Sequence, residues 1–175
     1  MATLVEIAII LLLVLLNGAF ALSELAIVSS RRSRLLAMQR QGRAGATEAL
    51  ALAADPQRFL PTVQIGITMV GVIAGAFGGA RLSGTLAELL APLPYMARIA
   101  NEVAFTLVVL AITYASLILG ELVPKQVALR DPERFAIVVA RPMAWLSRWS
   151  YPAVWLLARS SHLVLTLLGR HEPVE

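Results

Sequence analysis

The sequence contains no cysteine and only two histidines. Disulfide bonds and thiolate metal sites are therefore excluded, and a zinc or copper centre is disfavoured. Lysine is almost absent too, since 14 arginines stand against one lysine and give a net charge of +4. Such a charge can indicate nucleic-acid binding, but these arginines are dispersed among apolar segments, which is typical of a membrane protein's cytoplasmic face. No nucleophile–base pair or phosphate-binding loop is visible, so we predict neither a nucleic-acid partner nor an enzyme.

Charge is also scarce in three long segments of the chain. Hydrophobic residues make up 58% of the sequence and the mean hydropathy is +0.76, whereas an ordinary soluble domain is roughly 45–50% apolar. Each of the three segments is long enough to cross a bilayer core. We therefore predict one all-α membrane domain whose spans lie at about 4–28, 59–79 and 102–122.

The distribution of arginine predicts the orientation of these spans. No Lys or Arg precedes the first span, whereas five arginines lie between Arg31 and Arg43 directly after it. Positively charged residues favour the cytoplasmic side. We expect a multi-pass protein of the plasma (inner) membrane with its N-terminus outside, its C-terminus in the cytoplasm and an outer connection at 81–101.

Two further segments are predicted to be juxtamembrane amphipathic helices on the cytoplasmic side. Residues 44–57 have a helical pattern with few charges and end at Asp55-Pro56. Residues 135–169 are apolar enough for a fourth span, but Pro142 and Pro152 interrupt them and arginine and tryptophan recur along them. We favour interfacial helices over a fourth span for this segment.

The third span ends in a combination that suggests an ion site. Pro124 has no N–H, and its ring crowds the carbonyl four residues earlier, which belongs to Gly120. At membrane depth that carbonyl needs another partner, because lipid offers none. A cation is one candidate, and the adjacent Glu121 supplies negative charge. Ser116 lies on about the same helix face.

The other two spans offer further oxygen atoms. Glu24 shares a face of the first span with Asn17, which we interpret as structural, and Ser23 lies about 100° from it. The second span has a face of small and polar residues at helical spacing, namely Gln64, Thr68, Gly71, Gly75 and Gly79. Oxygen ligands without cysteine suit a hard cation such as Mg²⁺ or Na⁺.

Each of these residues also has a structural interpretation. Glu121 can lie at the cytoplasmic interface and pair with Lys125 at i+4, and Glu24 can simply mark the end of the first span. The glycine face of the second span is suited to close helix packing. Hydroxyls such as those of Ser23 and Thr68 often bond to their own helix.

Three motifs resemble, in order and spacing, the transmembrane domain of the CNNM/CorC (cyclin M, CorB) family. They are NGAFALSELAIVSSRRSRL, FLPTVQIGITMVGVIAG and LILGELVPKQVAL, and the resemblance covers about residues 4–140. It implies a three-span domain that forms a homodimer. It also implies a cytoplasmic CBS-domain pair and often a CorC-type domain beyond this segment, so the chain resembles an excised membrane domain.

The resemblance further implies Mg²⁺ transport, generally as Na⁺-coupled export. Its ligands would be Ser23, Thr68, the carbonyl of Gly120 and Glu121, while Glu24, Gln64, Gly71 and Ser116 are weaker candidates. Many relatives have a further serine where this chain has Ala21, and asparagines where it has Thr68 and Gly71. Two alternatives therefore remain: export of another cation such as a polyamine, and a non-transporting membrane anchor or sensor for regulatory domains.

Overall fold

The computed structural model describes residues 2–93 and 98–168, apart from the side chains of Ala2 and Arg58. Every regular element in these ranges is helical, which confirms the all-α prediction. In chain order they are α1 (Ala2–Ser29), α2 (Arg32–Arg40), α3 (Ala46–Ala54), α4 (Pro56–Leu90), α5 (Ala100–Leu117), a π-helical turn (Ile118–Leu122), α6 (Val123–Arg130), α7 (Pro132–Trp149) and α8 (Tyr151–Leu167).

Within these ranges, three helical stretches are long and apolar enough to cross a membrane. They are Thr3–Ser29, Phe59–Leu90 and Ala100–Arg130, the last comprising α5, the π turn and α6. Large apolar side chains such as Leu12, Val72 and Leu110 are exposed on them, as expected for helices that face lipid. The three predicted spans are therefore present.

The second helix extends beyond the span that the sequence suggested. We expected the span to end at Gly79, with a connection over 81–101, whereas α4 continues to Leu90. Arg81 lies exposed on the helix surface and does not end it. Leu82 and Leu86 pack against a small core formed by α1 and α5, which extends the contact beyond the charge-free run. Of the expected connection, residues 94–97 lie outside the described residues.

The third helix also continues beyond its predicted end at Leu122. It passes through the π turn and runs to Arg130 without a break at Pro124. The wider turn accommodates a residue that cannot donate a hydrogen bond to the preceding turn. The helix is therefore continuous at Pro124, and the end of the span at about Leu122 stays a prediction.

Three shorter helices surround the end of α1 that is followed by the arginines Arg31 to Arg43, here called the basic end. α2, α3 and α7 contribute buried residues to one core with the ends of α1 and α4. The predicted helix at 44–57 is α3, and the predicted segment 135–169 contains most of α7 and all of α8, with residue 169 outside the described range. Pro142 does not interrupt α7 but lies inside it, since the carbonyl it frees belongs to the exposed Val138.

A buried carboxylate joins α7 to the corner between α1 and α2. Glu133 is only 1% exposed. It accepts a hydrogen bond from the backbone N–H of Arg31 at 3.1 Å and one from the Arg34 guanidinium at 3.4 Å. Burial by itself raises the pKa of Glu133, but the hydrogen bonds from the Arg31 N–H and from its own N–H, together with the Arg34 charge, hold the pKa below its ordinary value.

Replacing this residue by glutamine (Glu133→Gln) is expected to lower the free energy of unfolding by about 1–3 kcal/mol at neutral pH. Because the folded-state pKa is lowered, the carboxylate's contribution is fully present above about pH 4.3. It is lost as the pH falls through the folded value. Thermal unfolding in detergent at several pH values measures this, with the exposed Glu88→Gln as control. An equal pH dependence in Glu133→Gln and the parent protein would contradict the assignment.

Candidate cation site

The π turn in the third helix includes the first three residues of the Gly-Glu-x-x-Pro-Lys sequence, and the other three begin α6. Val123 donates its N–H to the carbonyl of Ile118, five residues back, as a π turn requires. Pro124 has no N–H to offer the carbonyl of Gly120. The carbonyl of Gly120 is therefore available to a partner from another helix.

The partner of this carbonyl is an amide side chain of α1. Asn17 donates from Nδ2 to the Gly120 oxygen at 3.3 Å, and its side chain is almost completely buried. Asn17 Oδ1 has no hydrogen-bond partner among the residues described. A carbonyl oxygen has a second lone pair, so the Gly120 oxygen and the Asn17 oxygen are two acceptors within one buried contact. From the sequence we interpreted Asn17 as structural, and its observed bond does join two helices. A role for Asn17 at a cation site is therefore a proposal.

Two glycines allow α1 and the π turn to approach this closely. A Cβ atom on Gly18 would lie 2.9 Å from both the Leu119 carbonyl oxygen and the Pro124 ring. A Cβ atom on Gly120 would lie 3.2 Å from the Asn17 amide and from the Val14 carbonyl oxygen. The contact between backbone and amide therefore depends on the absence of these side chains.

The two predicted carboxylates meet at one ammonium group. Lys125 Nζ lies 2.9 Å from Glu121 Oε1 and 3.7 Å from Glu24 Oε2. The Glu121 side chain is 41% exposed, and that of Glu24 is 28% exposed. The i,i+4 pair that we weighed as the structural interpretation of Glu121 is thus present. Lys125 also contacts Glu24 of α1, however, so the two glutamates lie on either side of one ammonium group.

Ser23 is buried on α1 but already donates to its own helix. Its hydroxyl lies 2.6 Å from the Ala19 carbonyl oxygen, so only its lone pairs are available to a ligand. Thr62, which we did not predict, is also buried, and its Oγ1 has no partner in the described part of the chain. The ring of Phe20 contacts Gly66 across the antiparallel α1 and α4. One turn further toward the basic end, Thr62 therefore lies at about the level of Ser23.

The structure does not bring the predicted face of α4 to this site. Gln64, Thr68 and Gly71 are exposed. Gln64 and Thr68 line an open apolar cleft of about 670 Å³ that Leu157 of α8 also borders. Ser116 is half-buried one turn before Gly120. Within one chain, two contacts form: Asn17 with the Gly120 carbonyl, and Lys125 with Glu24 and Glu121. The roles of Thr68, Gln64 and Gly71 as ligands stay predictions.

The chemistry of this site is that of oxygen donors with a limited negative charge. No group of three or more His, Cys, Asp or Glu side chains suited to a metal ion occurs in residues 2–93 and 98–168. The oxygen atoms of this region belong to a carbonyl–amide contact, a buried hydroxyl and a pair of carboxylates. Such neutral and acidic oxygens can bind a hard cation or an alkylammonium group.

Comparison with known proteins identifies one family profile and several relatives that cover most of this chain. The sequence profile of the cyclin M transmembrane N-terminal domain matches residues 7–175. A UPF0053 protein of Synechocystis is 46% identical over 94% of this chain, and UPF0053 protein YhdT of Bacillus subtilis is 30% identical over 90% of it. A polyamine export protein of Haemophilus influenzae is 29% identical over 83% of it. The chain spans only 37%, 34% and 34% of the lengths of these three relatives, respectively.

Proposed function

Because the chain belongs to the family of the cyclin M transmembrane N-terminal domain, we propose that it is the membrane-spanning part of a cation transporter that exports Mg²⁺ in exchange for Na⁺. The observation that carries this proposal is the Gly120 carbonyl. It is freed by Pro124, and a buried amide whose own oxygen lacks a partner lies against it. In this proposal the N-terminus lies outside and the basic end faces the cytoplasm, where the longer relatives would continue into regulatory domains.

The amide of Asn17 supports a site that can change partners. Rotation of the amide by half a turn exchanges its nitrogen and oxygen. Without an ion, the nitrogen donates to the Gly120 oxygen. With a cation, the amide oxygen and the carbonyl oxygen would both face it, and Glu121 would supply the charge. Water molecules would complete the six ligands that Mg²⁺ prefers.

Lys125 supports the same proposal because it balances the negative charge of the two carboxylates. A carboxylate inside a membrane span is costly unless it is paired, and here one ammonium pairs with Glu24 and Glu121. When a cation takes its place at Glu121, Lys125 can remain with Glu24. In this proposal Glu121 alternates between two partners, the Lys125 ammonium and the transported cation. The site can therefore bind and release its substrate without leaving an unpaired carboxylate.

Flux through proteoliposomes tests the proposal. Vesicles that contain the purified chain are loaded with a Mg²⁺-sensitive dye, and a Na⁺ gradient is imposed. We expect saturable Mg²⁺ movement that depends on the gradient. Movement without Na⁺ dependence would contradict the coupling, and the absence of saturable Mg²⁺ flux would favour the anchor or sensor.

A second candidate function is polyamine export, and the site itself supports it. The Lys125 ammonium between Glu24 and Glu121 demonstrates that this carboxylate pair accommodates a primary ammonium group, and one relative carries the name of a polyamine exporter. Competition decides between the two substrates. If putrescine inhibits Mg²⁺ flux and is itself transported at lower concentration, the polyamine is the substrate. If putrescine has no effect on Mg²⁺ flux, the proposal that Mg²⁺ is the substrate is retained.

We also propose that the chain acts as a homodimer through the exposed face of α4. Gly71 and Gly75 have no neighbouring atom within 4 Å of the position of a Cβ, and the adjacent Met69 and Val72 are largely exposed. Small residues at this spacing permit close helix approach in a membrane. A second copy would cover this face and place its Thr68 near the first.

Cysteine cross-linking tests the dimer, because the chain has no cysteine of its own. Gly75→Cys is expected to form a disulfide-linked dimer in a bilayer under mild oxidation. Gly84→Cys is the matched control, since Gly84 is equally open but nine residues away, on the opposite face of α4. Equal cross-linking of both variants, or none with Gly75→Cys, would contradict this interface.

A further inference from the structure

A cavity at the basic end has the lining expected of a lipid site. It has a volume of about 290 Å³ and lies between the end of α1, the start of α2, the second half of α3 and the first residue of α4. Ile27, Val28, Leu50 and Ala53 supply its apolar wall. Since the first span ends and the second begins beside it, the cavity lies where a bilayer meets water.

The polar side of the cavity has a positive charge that forms no ion pair within the described part of the chain. Arg32 lines the cavity and is exposed. The nearby Arg34 pairs with Glu133, whereas no carboxylate pairs with Arg32 in the described ranges. Ser30 also lines the cavity, but its hydroxyl already donates to the carbonyl of Ile27 at 2.7 Å. The donor toward the cavity is therefore the guanidinium of Arg32.

The backbone of α2 adds to this positive charge. Arg31 precedes the helix in an extended conformation and does not cap it with its side chain, while its backbone N–H donates to Glu133. The N–H groups of the residues that follow and the helix dipole favour an anion in this position. Arg32 is the first helical residue, so its guanidinium and these N–H groups belong to the same helix start. An arginine guanidinium binds phosphate oxygens in a bidentate manner.

We propose that this cavity binds an anionic phospholipid, with the phosphate at Arg32 and the upper part of one acyl chain against Ile27, Leu50 and Ala53. A free phosphate shares the chemistry of the headgroup but has nothing to fill the apolar wall. A zwitterionic lipid could fill the wall, but its own cation opposes Arg32. The lipid would hold α2 and α3 against the ends of the two spans.

Binding of short-chain phosphatidylglycerol to the purified chain in detergent tests this, with native mass spectrometry as the readout. We expect one tightly bound lipid per chain, with phosphatidylcholine and inorganic phosphate binding at least about tenfold more weakly. Equal binding of phosphatidylcholine would overturn the role of the charge. Equal binding of inorganic phosphate would overturn the role of the apolar wall.

Two variants locate the lipid. Arg32→Gln is expected to weaken phosphatidylglycerol binding at least about fivefold. Arg40→Gln, which removes an exposed arginine about 12 Å along the same helix, leaves it unchanged. Ala53→Phe keeps the charge but fills the cavity, and is expected to weaken binding as well. Unchanged affinity in either Arg32→Gln or Ala53→Phe, or an equal loss in Arg40→Gln, would overturn the proposal.

Discussion

Replacing Glu121 by glutamine is expected to reduce Mg²⁺ flux at least tenfold. The substitution keeps the shape of the side chain and removes its charge, so the site loses the anion that would offset a divalent cation. A hydrogen bond or ion contact to a charged group contributes about 1.5–3 kcal/mol, which corresponds to a factor of roughly ten or more in affinity. Lys125 keeps Glu24 as its partner, so the fold around the π turn should persist.

Proteoliposome flux at several Mg²⁺ concentrations measures this effect and separates affinity from maximal rate. The control is Glu102→Gln, which removes an exposed carboxylate from the first turn of α5, at the far end of the same span. The parent rate should be retained there. Flux in Glu121→Gln within about twofold of the parent protein would mean that Glu121 is only the surface partner of Lys125.

Replacing Gly45 by alanine is expected to cause the largest loss of stability in the basic end. Gly45 has φ +85°, in the left-handed region, which costs an L-residue roughly 1–2 kcal/mol. A Cβ there would also lie 2.0 Å from the backbone oxygen of Ile137 in α7. Backbone cannot rotate away, so α3 and α7 would have to separate. Such overpacking costs typically a further 1–3 kcal/mol.

The matched control is Gly42→Ala in the same connection. Gly42 has φ +72° but no atom within 4 Å of a Cβ position, so only the backbone strain applies. Thermal unfolding of both variants in one detergent therefore isolates the contact with α7. We expect Gly45→Ala to melt well below Gly42→Ala. Equal melting temperatures would show that α3 does not pack against α7 as described.

The sequence predicted the elements better than their ends. The three spans and the helices beside them follow from long apolar runs and clustered arginine, which are local properties. The second span was predicted to end at Gly79 with the charge-free run, whereas the helix continues and Leu82 and Leu86 extend its packing. Pro142 and Pro124 were expected to end helices. Each lies in a continuous helix, because the carbonyl it leaves free is either exposed or bonded to another helix.

The candidate site was predicted in part. The role of Pro124 in freeing the Gly120 carbonyl and the place of Glu121 beside it were evident from six consecutive residues. The partner of that carbonyl was not, since Asn17 lies 103 positions away. That Thr68 lies on the exposed face of α4 was not evident either. In a span that is apolar on all sides, periodicity does not indicate which face is buried.

By itself, the sequence determined that this chain is an all-helical membrane protein with three spans and an acidic residue beside a proline-freed carbonyl. These follow from hydrophobicity and from backbone chemistry within a few residues. Only the tertiary structure decided which helix faces meet and which amide donates a hydrogen bond to the Gly120 carbonyl. It also decided that one lysine pairs with two glutamates. The physical reason is that helices in lipid have no amphipathic contrast to orient them. Their rotation depends on close contacts such as Gly66 against Phe20 and Gly18 against Pro124.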